Sequence, residues 1–483
     1  LCSFHFSITF AHFFTEMKNK YIDLVEQTFD WPAEEFELTE NGTLAWNDLD
    51  LMPIVKQYGT PLRMTYLPKI DENIQRARRM FHVAMAKVDY EANYHYCYCT
   101  KSNHFSFVME RVLENEVHLE TSSAFDINII KKMKEAGRLK DQQYVVCNGY
   151  KTKAYLDNIA GLINSGHTNT INVIDHVEEL EELTSRLTEK AKVGIRIASE
   201  EEPKFEFYTS RLGIGYRDIV DFYKTKIAEN EMAELKMLHF FINTGIKDTA
   251  YYWNELRKCV NVYIDLKRLC PTLDSLNIGG GFPIQTSLGM DYDYEYMAEE
   301  IISQIKTMCD FADVPEPNIF SEFGSFTVGE SGANFYSILG AKQQNDRELW
   351  YMIDSSFMTT LPDSWAINKR FIMFPLNKWN RPYDRVLLGG LTCDSDDYYN
   401  SEQHVNAIFL PRMSPQDEEP LMIGFFNTGA YQESLSGYGG TKHCLLPAPR
   451  HVVVDRDEEG NVTSKLFADE QSSANMLNTL GYE

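Results

Sequence analysis

The sequence predicts an α/β protein in which a (β/α)8 barrel is combined with a β-rich domain built from both ends of the chain. Between about residues 94 and 322, short β-rich runs alternate with longer amphipathic or charged stretches. This alternation is typical of βα units around a parallel sheet. Eight such runs, over a length close to the ~250 residues usual for the fold, favour a closed barrel over an open sheet.

The eight predicted barrel strands follow one another at regular intervals. They are Tyr94–Thr100, Val117–Thr121, Tyr144–Asn148, Thr170–Asp175, Lys192–Ala198, Leu235–Asn243, Leu273–Gly279 and Asn318–Glu322. A helix over Ile70–Met85, with apolar residues at helical spacing, precedes the first strand. We therefore expect the barrel domain to span residues 63–331.

The segments on either side of the barrel do not continue this alternation. Residues 36–66 and the chain after about residue 331 are rich in short β-like runs, Pro, Gly and Tyr, and turn-forming residues separate the runs. The candidate strands after the barrel are Trp350–Ile353, Arg385–Leu388, Ala407–Leu410, Leu421–Phe426 and His451–Val454. We predict that residues 17–62 and 332–483 form one β domain.

The first 16 residues are interpreted as an upstream leader outside this domain. Residues 1–14 are apolar, but they lack the basic n-region and the small-residue cleavage site of a signal peptide. Met17 is followed by a polar segment and looks like a natural start.

Composition excludes several classes of partner. The formal net charge of -25 argues against binding to nucleic acid or to an anionic membrane surface, and favours small cationic ligands. No uninterrupted apolar run is long enough to span a bilayer. The nine Cys are odd in number and scattered, which indicates a reducing, cytoplasmic compartment. Cys97 and Cys99 are expected to be buried thiols, and no ligand spacing in the sequence predicts a metal site.

Barrel enzymes place their chemistry at the C-terminal ends of the strands, which selects a few residues here. Lys101 follows the first strand, where buried neighbours would lower the pKa of its amine and make it available for a Schiff base. Gly279, Gly280 and Gly281 follow the seventh strand and would let backbone N–H groups approach a phosphate. Each feature also has a plainer interpretation, as a lysine at the solvent edge and an ordinary turn.

Glu322 ends the eighth strand and is a candidate partner for the ring nitrogen of a cofactor. At ~4 Å and an effective dielectric near 20, such a pair is worth about 4 kcal/mol, enough to keep a pyridine nitrogen protonated. Protonation makes the ring an electron sink. The alternative is a strand-end carboxylate in solvent.

These motifs, together with Cys393-Asp394 and Gly429-Ala430-Tyr431, resemble a known family in both composition and order. The family is that of the alanine-racemase-like, fold-type III pyridoxal-phosphate decarboxylases of ornithine, diaminopimelate and arginine. The resemblance covers nearly the whole chain from about Phe36 onward. It implies pyridoxal 5'-phosphate as cofactor and a homodimer with shared active sites.

The resemblance also implies a role for each matching residue. Lys101 would be the Schiff-base lysine, Glu322 the carboxylate on the pyridine nitrogen, and Cys393 the proton donor on a loop that enters the partner subunit's site. The other residues matched to cofactor binding are Glu120, Ser123, Arg196, Gly279, Gly280, Gly281 and Tyr431.

Three positions depart from the family pattern. Phe241 stands where a His usually stacks on the cofactor ring, a role that an aromatic ring can keep, and His239 is then expected to be a core histidine. Thr244 replaces a phosphate-binding Ser. Ser325 replaces an Arg that faces the phosphate, so another basic residue compensates or cofactor affinity is lower.

The substrate is predicted from two segments. Residues 361–367 and 391–396 resemble those of biosynthetic arginine decarboxylases, although this chain is shorter, and Glu120 fits the arginine group better than the Asp of many ornithine enzymes. A guanidinium needs a planar carboxylate, which Asp363 or Asp394 could supply, although Asp363 could equally be a Pro-Asp turn residue. We expect decarboxylation of L-arginine to agmatine and CO2, in polyamine biosynthesis.

Three alternatives stay open at this stage. Ornithine or diaminopimelate could be the substrate on the same fold. A racemase would need an opposed base and would have no use for the Cys393-Asp394 loop. A non-catalytic regulator would be expected to lose Lys101 or Cys393, and both are present.

Overall fold

The computed structural model describes residues 35–200, 209–399 and 408–482. The predicted leader, residues 1–16, lies outside these ranges, as does Ala407 at the start of one predicted strand. The chain divides into two compact units. Among the described residues, the barrel unit comprises those within Lys69–Pro283 and Tyr292–Val328, and the β unit comprises those up to Pro68, Ile284–Asp291 and those from Gly329 onward.

In the described part of the barrel unit, eight parallel strands close into the predicted barrel. They are β1 (Tyr94–Cys99), β2 (His118–Thr121), β3 (Val145–Cys147), β4 (Thr170–Ile174), β5 (Ala191–Arg196), β6 (Ala233–His239), β7 (Ser275–Asn277) and β8 (Asn318–Phe323). Each strand pairs with the next along the chain, and β8 pairs with β1 to complete the ring. The predicted fold class and all eight predicted strand positions are confirmed.

A helix follows each barrel strand, which is how parallel strands are connected. These helices are α1 (Ser106–Glu114), α2 (Ala124–Glu135), α3 (Lys153–Asn164), α4 (Glu179–Thr184), α5 (Ile219–Phe222), α6 (Ala250–Lys267), α7 (Tyr294–Ala312) and α8 (Ser325–Val328). The helix Pro68–Lys87 precedes β1, where a helix is predicted, and α5 continues into one π-helical turn, Tyr223–Ile227.

Apolar side chains fill the barrel interior. Cys97, Val146, Ile171, Val173, Met237 and Phe320 form one buried cluster. Burial raises the pKa of the Cys97 and Cys99 thiols well above its usual range, so both are buried thiols as predicted. The barrel is thus a packed core, and its polar chemistry is confined to the strand ends.

The β unit contains two sheets in the part of the chain that is described. Phe36–Leu38, Leu44–Trp46 and Leu49–Asp50 form an antiparallel three-stranded sheet. The second sheet has ten strands: Leu62–Tyr66, Gly332–Asn345, Glu348–Ile353, Ile372–Pro375, Tyr383–Gly389, Tyr398–Tyr399, Ile408–Pro411, Met422–Phe426, Arg450–Arg456 and Val462–Ala468. Helices Leu51–Tyr58, Phe357–Thr360, Pro362–Ala366, Gln432–Leu435 and Ser473–Thr479 lie between or after these strands.

The strand Leu62–Tyr66 explains why both ends of the chain form one unit. It pairs antiparallel with Gly332–Phe335 and parallel with the strand Arg450–Arg456. Aromatic side chains of both segments, among them Trp46 and Phe426, then share one buried core. The boundary between the units therefore lies at Pro68, a few residues beyond the predicted boundary at residue 62, which would cut this strand.

No helix within the described ranges is both long enough and apolar enough to cross a membrane.

Candidate active site

Three predicted residues lie on neighbouring strands at one rim of the barrel. Lys101 follows β1 in a short 3-10 helix, Glu120 lies in β2, and Glu322 lies near the end of β8. Strand β1 pairs with both β2 and β8. Because all barrel strands are parallel, their C-terminal ends meet at the same rim, which is where barrel enzymes hold their active sites.

Glu322 is a buried carboxylate with three hydrogen-bond donors. The amides of Asn148 and Asn277 donate to its Oε1 at 2.8 and 2.7 Å, and Nε2 of His239 lies 3.3 Å from its Oε2. Burial acts to raise the pKa of Glu322, but the charge and hydrogen bond of His239, the charge of Lys101 and the Asn148 amide outweigh it and hold the pKa well below its usual range. Glu322 is only 5% exposed and is therefore not a solvent-facing strand end.

Glu120 is the ion-pair partner of Lys101. The Lys101 Nζ lies 2.5 Å from Oε2 of Glu120, and the other carboxylate oxygen accepts from Ser122 Oγ at 3.3 Å and Asn148 Nδ2 at 3.1 Å. Glu120 is buried, whereas the Lys101 side chain is 42% exposed between the buried residues Thr100 and Ser102. The lysine is thus anchored by a buried carboxylate and still reachable.

Asn148 connects the two carboxylates, since its amide donates to both. Oxygens of Glu120 and Glu322 lie within 4.8 Å of one another, as does the Cys99 thiol. Two buried carboxylates at this separation repel each other when both are charged, and a nearby cation reduces that repulsion. Lys101, paired with Glu120, supplies such a cation.

Arg196, at the end of β5, is the third basic residue of the rim. Burial lowers the pKa of its guanidinium, and the negative charges of Asp175, Glu322 and Glu120 oppose that shift. The guanidinium carbon lies 5.9 Å from the centre of the Phe241 ring, within the range of a cation–π contact. Arg196 and Phe241 are therefore brought together at the same rim.

The predicted glycine turn has no room for side chains. A Cβ on Gly280 would lie 2.0 Å from the carbonyl oxygen of Glu322, and one on Gly281 would lie 2.7 Å from Cα of Gly245. Gly279 has φ +68°, and a Cβ there would lie 2.8 Å from the carbonyl oxygen of Phe240. All three positions require glycine, because each packs against backbone atoms.

Hydrogen bonds connect the glycine turn to Glu322 and to Asn277, which contacts the Glu322 carboxylate. Gly279 N–H donates to Asn277 Oδ1 at 2.9 Å, and Glu322 N–H donates to the Gly279 carbonyl at 2.9 Å. The N–H groups of Gly280 and Gly281 make no hydrogen bond to another residue in the described ranges. Two backbone donors are thus left for an anion.

Three further predicted residues lie in loops of the barrel unit. Ser123 is the N-cap of α2, where its Oγ accepts from Asp126 N–H at 3.2 Å, so this hydroxyl already has a structural role. Thr244 lies in the loop after β6, and Ser325 is the first residue of α8.

The remaining predicted residues lie in the β unit. Cys393 and Asp394 are on an exposed loop, with the Cys393 Sγ 3.6 Å from the Cys444 Sγ. Asp363 is buried, where Gln432 Nε2 donates to it at 2.7 Å and Lys369 Nζ lies 3.5 Å away. Tyr431 precedes the helix Gln432–Leu435 with φ +70°, in the left-handed region.

Three residues that contact Glu322 were not singled out as functional from the sequence. Asn148 directly follows β3 and Asn277 ends β7, at the same kind of strand end that identifies Lys101 and Glu322, and this position is the signal that could have found them. His239 is buried as predicted for a core histidine, but its partner is Glu322, so it belongs to the site.

The comparison with known proteins fits this geometry. The family model described as pyridoxal-dependent decarboxylase, pyridoxal-binding domain, matches residues 70–329. The chain belongs to this decarboxylase family. The matched region includes the rim residues described above, from Lys101 to Glu322.

Similar proteins from this decarboxylase family span nearly the whole chain. A biosynthetic arginine decarboxylase of Prochlorococcus marinus is 22% identical, over 94% of this chain and 89% of that protein. Arginine decarboxylase 2 of Arabidopsis thaliana is 23% identical, over 91% of this chain and 77% of that protein.

Solved structures share the same fold. The biosynthetic arginine decarboxylase of Campylobacter jejuni has a TM-score of 0.80 at 19% identity and covers 94% of this chain and 90% of its own. A diaminopimelate decarboxylase from M. jannaschii has a TM-score of 0.77 at 18% identity, covering 92% of this chain and 97% of its own. The fold is therefore common to decarboxylases of different amino acids.

The rim residues fit the cofactor that the decarboxylase family implies. The aldehyde of pyridoxal phosphate requires an amine, and Lys101 provides one that is half-exposed. The protonated ring nitrogen of the cofactor requires an anion, and Glu322 is held ionised. The cofactor phosphate requires hydrogen-bond donors, and the glycine turn offers the N–H groups of Gly280 and Gly281.

Proposed function

We propose that this chain is a pyridoxal-phosphate-dependent arginine decarboxylase that releases agmatine and CO2 and acts as a homodimer with shared sites. The observation that carries the decarboxylase part is the rim constellation: an accessible lysine, a buried ionised carboxylate and a glycine turn with unused N–H donors. The choice of arginine is supported by the names of the relatives and by the position of one carboxylate.

Each rim residue has a defined task in this proposal. Pyridoxal phosphate, when bound, supplies an electron sink for the electron pair left by the departing carboxylate. Lys101 would hold the cofactor through its amine, and Glu322 would hold a proton at the ring nitrogen. Phe241 would cover one face of the ring, with Arg196 beside it.

The side chains around Glu322 hold its carboxylate in a fixed position at the rim. Asn148, Asn277 and His239 each direct a ring or amide nitrogen at the carboxylate, so it cannot rotate away from the rim without losing several hydrogen bonds. A carboxylate fixed in this way stabilises a developing charge without reorganising during the reaction.

Asp394 is a better candidate than Asp363 for the residue that binds the guanidinium of arginine. The Asp363 carboxylate is buried and already engaged by Gln432 and Lys369. The Asp394 carboxylate is 37% exposed and accepts only from the Asp396 N–H at 2.9 Å, with His443 Nε2 3.9 Å away, among the described residues. We therefore assign the guanidinium contact to Asp394.

The exposed thiol of Cys393 is suited to donate a proton in the reaction. Its hydrogen bond and proximity to Cys444 raise the pKa of its thiol above the usual range, so the sulfur keeps its proton near neutral pH. An exposed thiol that remains protonated can deliver a proton to a carbon that has just lost its carboxylate.

A CO2-release assay tests the assignment directly. Arginine, ornithine, lysine and diaminopimelate are compared as substrates for the purified chain supplied with pyridoxal phosphate. We expect arginine to be preferred over ornithine at least tenfold in kcat/KM, because the shorter ammonium of ornithine cannot form the two parallel charge-assisted hydrogen bonds that a guanidinium forms with a carboxylate. Equal turnover of ornithine or diaminopimelate would refute arginine and leave the decarboxylase proposal standing, whereas no CO2 from any of the four would refute the decarboxylase proposal.

Matched variants separate the two candidate acceptors. Asp394→Asn should lower kcat/KM for arginine at least tenfold with unchanged cofactor content, since the charge-assisted hydrogen bonds are lost. Asp363→Asn should instead lower thermal stability, because it leaves Lys369 buried without an anion. The reverse pattern would transfer the guanidinium contact to Asp363.

A further inference from the structure

The β unit contains a cluster of metal-ligating side chains, of which the proposed chemistry uses only Cys393 as a proton donor. Ligand atoms of Cys393, His443 and Cys444 lie within 4.8 Å of one another. The two sulfurs are 3.6 Å apart, and the Asp394 carboxylate lies 3.9 Å from His443 Nε2. The three side chains come from two loops 51 residues apart, so no ligand spacing in the sequence could reveal the cluster.

The distances fit a tetrahedral ion. With Zn–S bonds of about 2.3 Å and Zn–N bonds of about 2.0 Å, two thiolates on one zinc ion are roughly 3.8 Å apart and a thiolate and an imidazole roughly 3.5 Å apart. The observed sulfur separation of 3.6 Å is close to the first value. Two sulfurs, one imidazole and a fourth position open to Asp394 or water form a common zinc donor set.

The loop that carries Cys393 is firmly held. The buried carboxylate of Asp397 accepts from Thr392 N–H at 3.0 Å, from Thr392 Oγ1 at 2.7 Å and from Phe357 N–H at 2.9 Å. A Cβ on Gly390 would lie 2.3 Å from this carboxylate, so the loop packs directly on it. Cys393 is thus presented from a fixed turn.

The loop that carries the other two ligands is also constrained. Lys442, immediately before His443, donates to the carbonyl oxygens of Ser436 and Gly437. Cys444 itself has φ +54°, a conformation that a residue with a side chain adopts only when its surroundings demand it. Two fixed loops reduce the entropy lost when the side chains gather around an ion.

We propose that Cys393, His443 and Cys444 form a binding site for a thiophilic divalent cation of the zinc class. Binding forms two metal–sulfur bonds and one metal–nitrogen bond, releases the two thiol protons to water and changes no oxidation state. A disulfide between the two cysteines would satisfy the sulfurs alone. The His443 imidazole and the Asp394 carboxylate lie beside the two sulfurs. Both are cation ligands that a redox-active cysteine pair does not need, so they favour a cation site.

A metal ion at this site suppresses the decarboxylation, and this consequence rests on the proposed function. A metal-bound Cys393 has lost the proton that it would deliver to the product carbon. The same ion would also bind the Asp394 carboxylate, which is assigned to the substrate guanidinium. Metal binding and decarboxylation therefore require the same two side chains, Cys393 and Asp394.

Cobalt binding to the full chain tests the site independently of activity. The protein is reduced, freed of metal with a chelator and titrated with Co²⁺ under inert gas. We expect the visible absorption of a tetrahedral cobalt–thiolate at one ion per chain, and its loss when Zn²⁺ is added. Cys444→Ser and His443→Gln should each weaken binding at least tenfold, whereas His82→Gln, an exposed histidine outside the cluster, should bind like the unmodified chain.

Three outcomes would overturn the site. They are the absence of a cobalt–thiolate band, an equal band in Cys444→Ser, and a Cys393–Cys444 disulfide without metal in protein isolated under non-reducing conditions. A chain without decarboxylase activity would leave the cobalt result intact, so failure of the site and failure of the proposed function are distinguishable.

A second measurement tests the link to turnover. Zn²⁺ should inhibit CO2 release by the unmodified holoenzyme, and a chelator should reverse the inhibition. Cys444→Ser should need at least tenfold more Zn²⁺ than the unmodified chain for half-inhibition, each measured relative to its own turnover without metal. Inhibition with the same zinc dependence in Cys444→Ser would overturn the link between this site and the reaction.

Discussion

Replacing Glu322 by Gln tests whether the rim carboxylate acts through its charge. The amide keeps the shape of the side chain, and its oxygen can still accept from Asn148 and Asn277. Its NH2 group would then face Nε2 of His239. His239 Nδ1 has no hydrogen-bond partner among the described residues, so the imidazole can move its proton there and accept at Nε2.

The expected loss of activity follows from the lost charge. A carboxylate ~4 Å from the ring nitrogen, at an effective dielectric near 20, contributes about 4 kcal/mol, or roughly three pKa units at that nitrogen. Without it the nitrogen is largely unprotonated near neutral pH. We expect kcat to fall on the order of 10²–10³-fold, with cofactor still attached to Lys101.

Glu255→Gln is the matched control for the effects of removing a buried carboxylate. Glu255 is buried on α6, where it accepts from the Tyr216 hydroxyl at 2.8 Å and from Lys258 at 2.7 Å. The Glu255→Gln variant should lower the free energy of unfolding by about 1–3 kcal/mol, as Glu322→Gln should, but its turnover should be unchanged. Thermal unfolding, cofactor absorbance and CO2 release are measured for both variants.

The pH dependence of stability provides a second test of the same charge. The folded-state pKa of Glu322 lies below its ordinary value of 4.5. The ionised carboxylate therefore stabilises the fold above pH 4.5, and this contribution is lost as pH falls through the folded-state pKa. The difference in unfolding free energy between the unmodified chain and Glu322→Gln should be largest near neutral pH and shrink below pH 4.5. Unchanged kcat, or a difference that does not depend on pH, would refute the reasoning.

Three shorter predictions concern the cofactor and the dimer. Lys101→Ala should abolish covalent cofactor attachment after borohydride reduction, and a label that persists on the same peptide would place the attachment elsewhere. Mixing inactive Lys101→Ala and Cys393→Ala subunits should restore part of the CO2 release through shared sites, and no recovery after confirmed subunit exchange would mean that each site lies within one chain. Gly280→Ala should lose cofactor binding because its Cβ would meet a carbonyl oxygen at 2.0 Å, whereas Gly340→Ala, with nothing within 4 Å, should bind normally, and equal cofactor contents would contradict this account.

The barrel could be predicted from the sequence because its strands carry a clear signal. Each is a short run with buried residues, and a helical stretch separates it from the next. The glycine turn and the strand-end positions of Lys101 and Glu322 were also readable, because a parallel barrel places all C-terminal strand ends at one rim. Sequence position alone therefore predicted that these residues share one rim of the barrel.

The β unit was harder to predict for a physical reason. The strand Val462–Ala468 is mostly exposed, and the second half of Gly332–Asn345 is polar and exposed as well. Neither shows the alternation of buried and exposed residues from which strands are recognised. Ile372–Pro375 has the opposite difficulty, since all of its residues are buried and it ends in a proline.

The contacts of Glu322 show where sequence reasoning ends at the rim itself. Asn148 and Asn277 occupy strand ends, as Glu322 does, but a strand end says only which rim a residue occupies and not which side chains meet there. The meeting depends on the closure of the barrel, which brings β3, β6 and β7 around β8 although they are far apart in the chain. His239 was expected to be a core histidine because Phe241 could take the ring-stacking role, yet His239 contacts Glu322, and its burial strengthens that interaction. The least predictable contacts of the site are therefore the ones that hold its central charge in place.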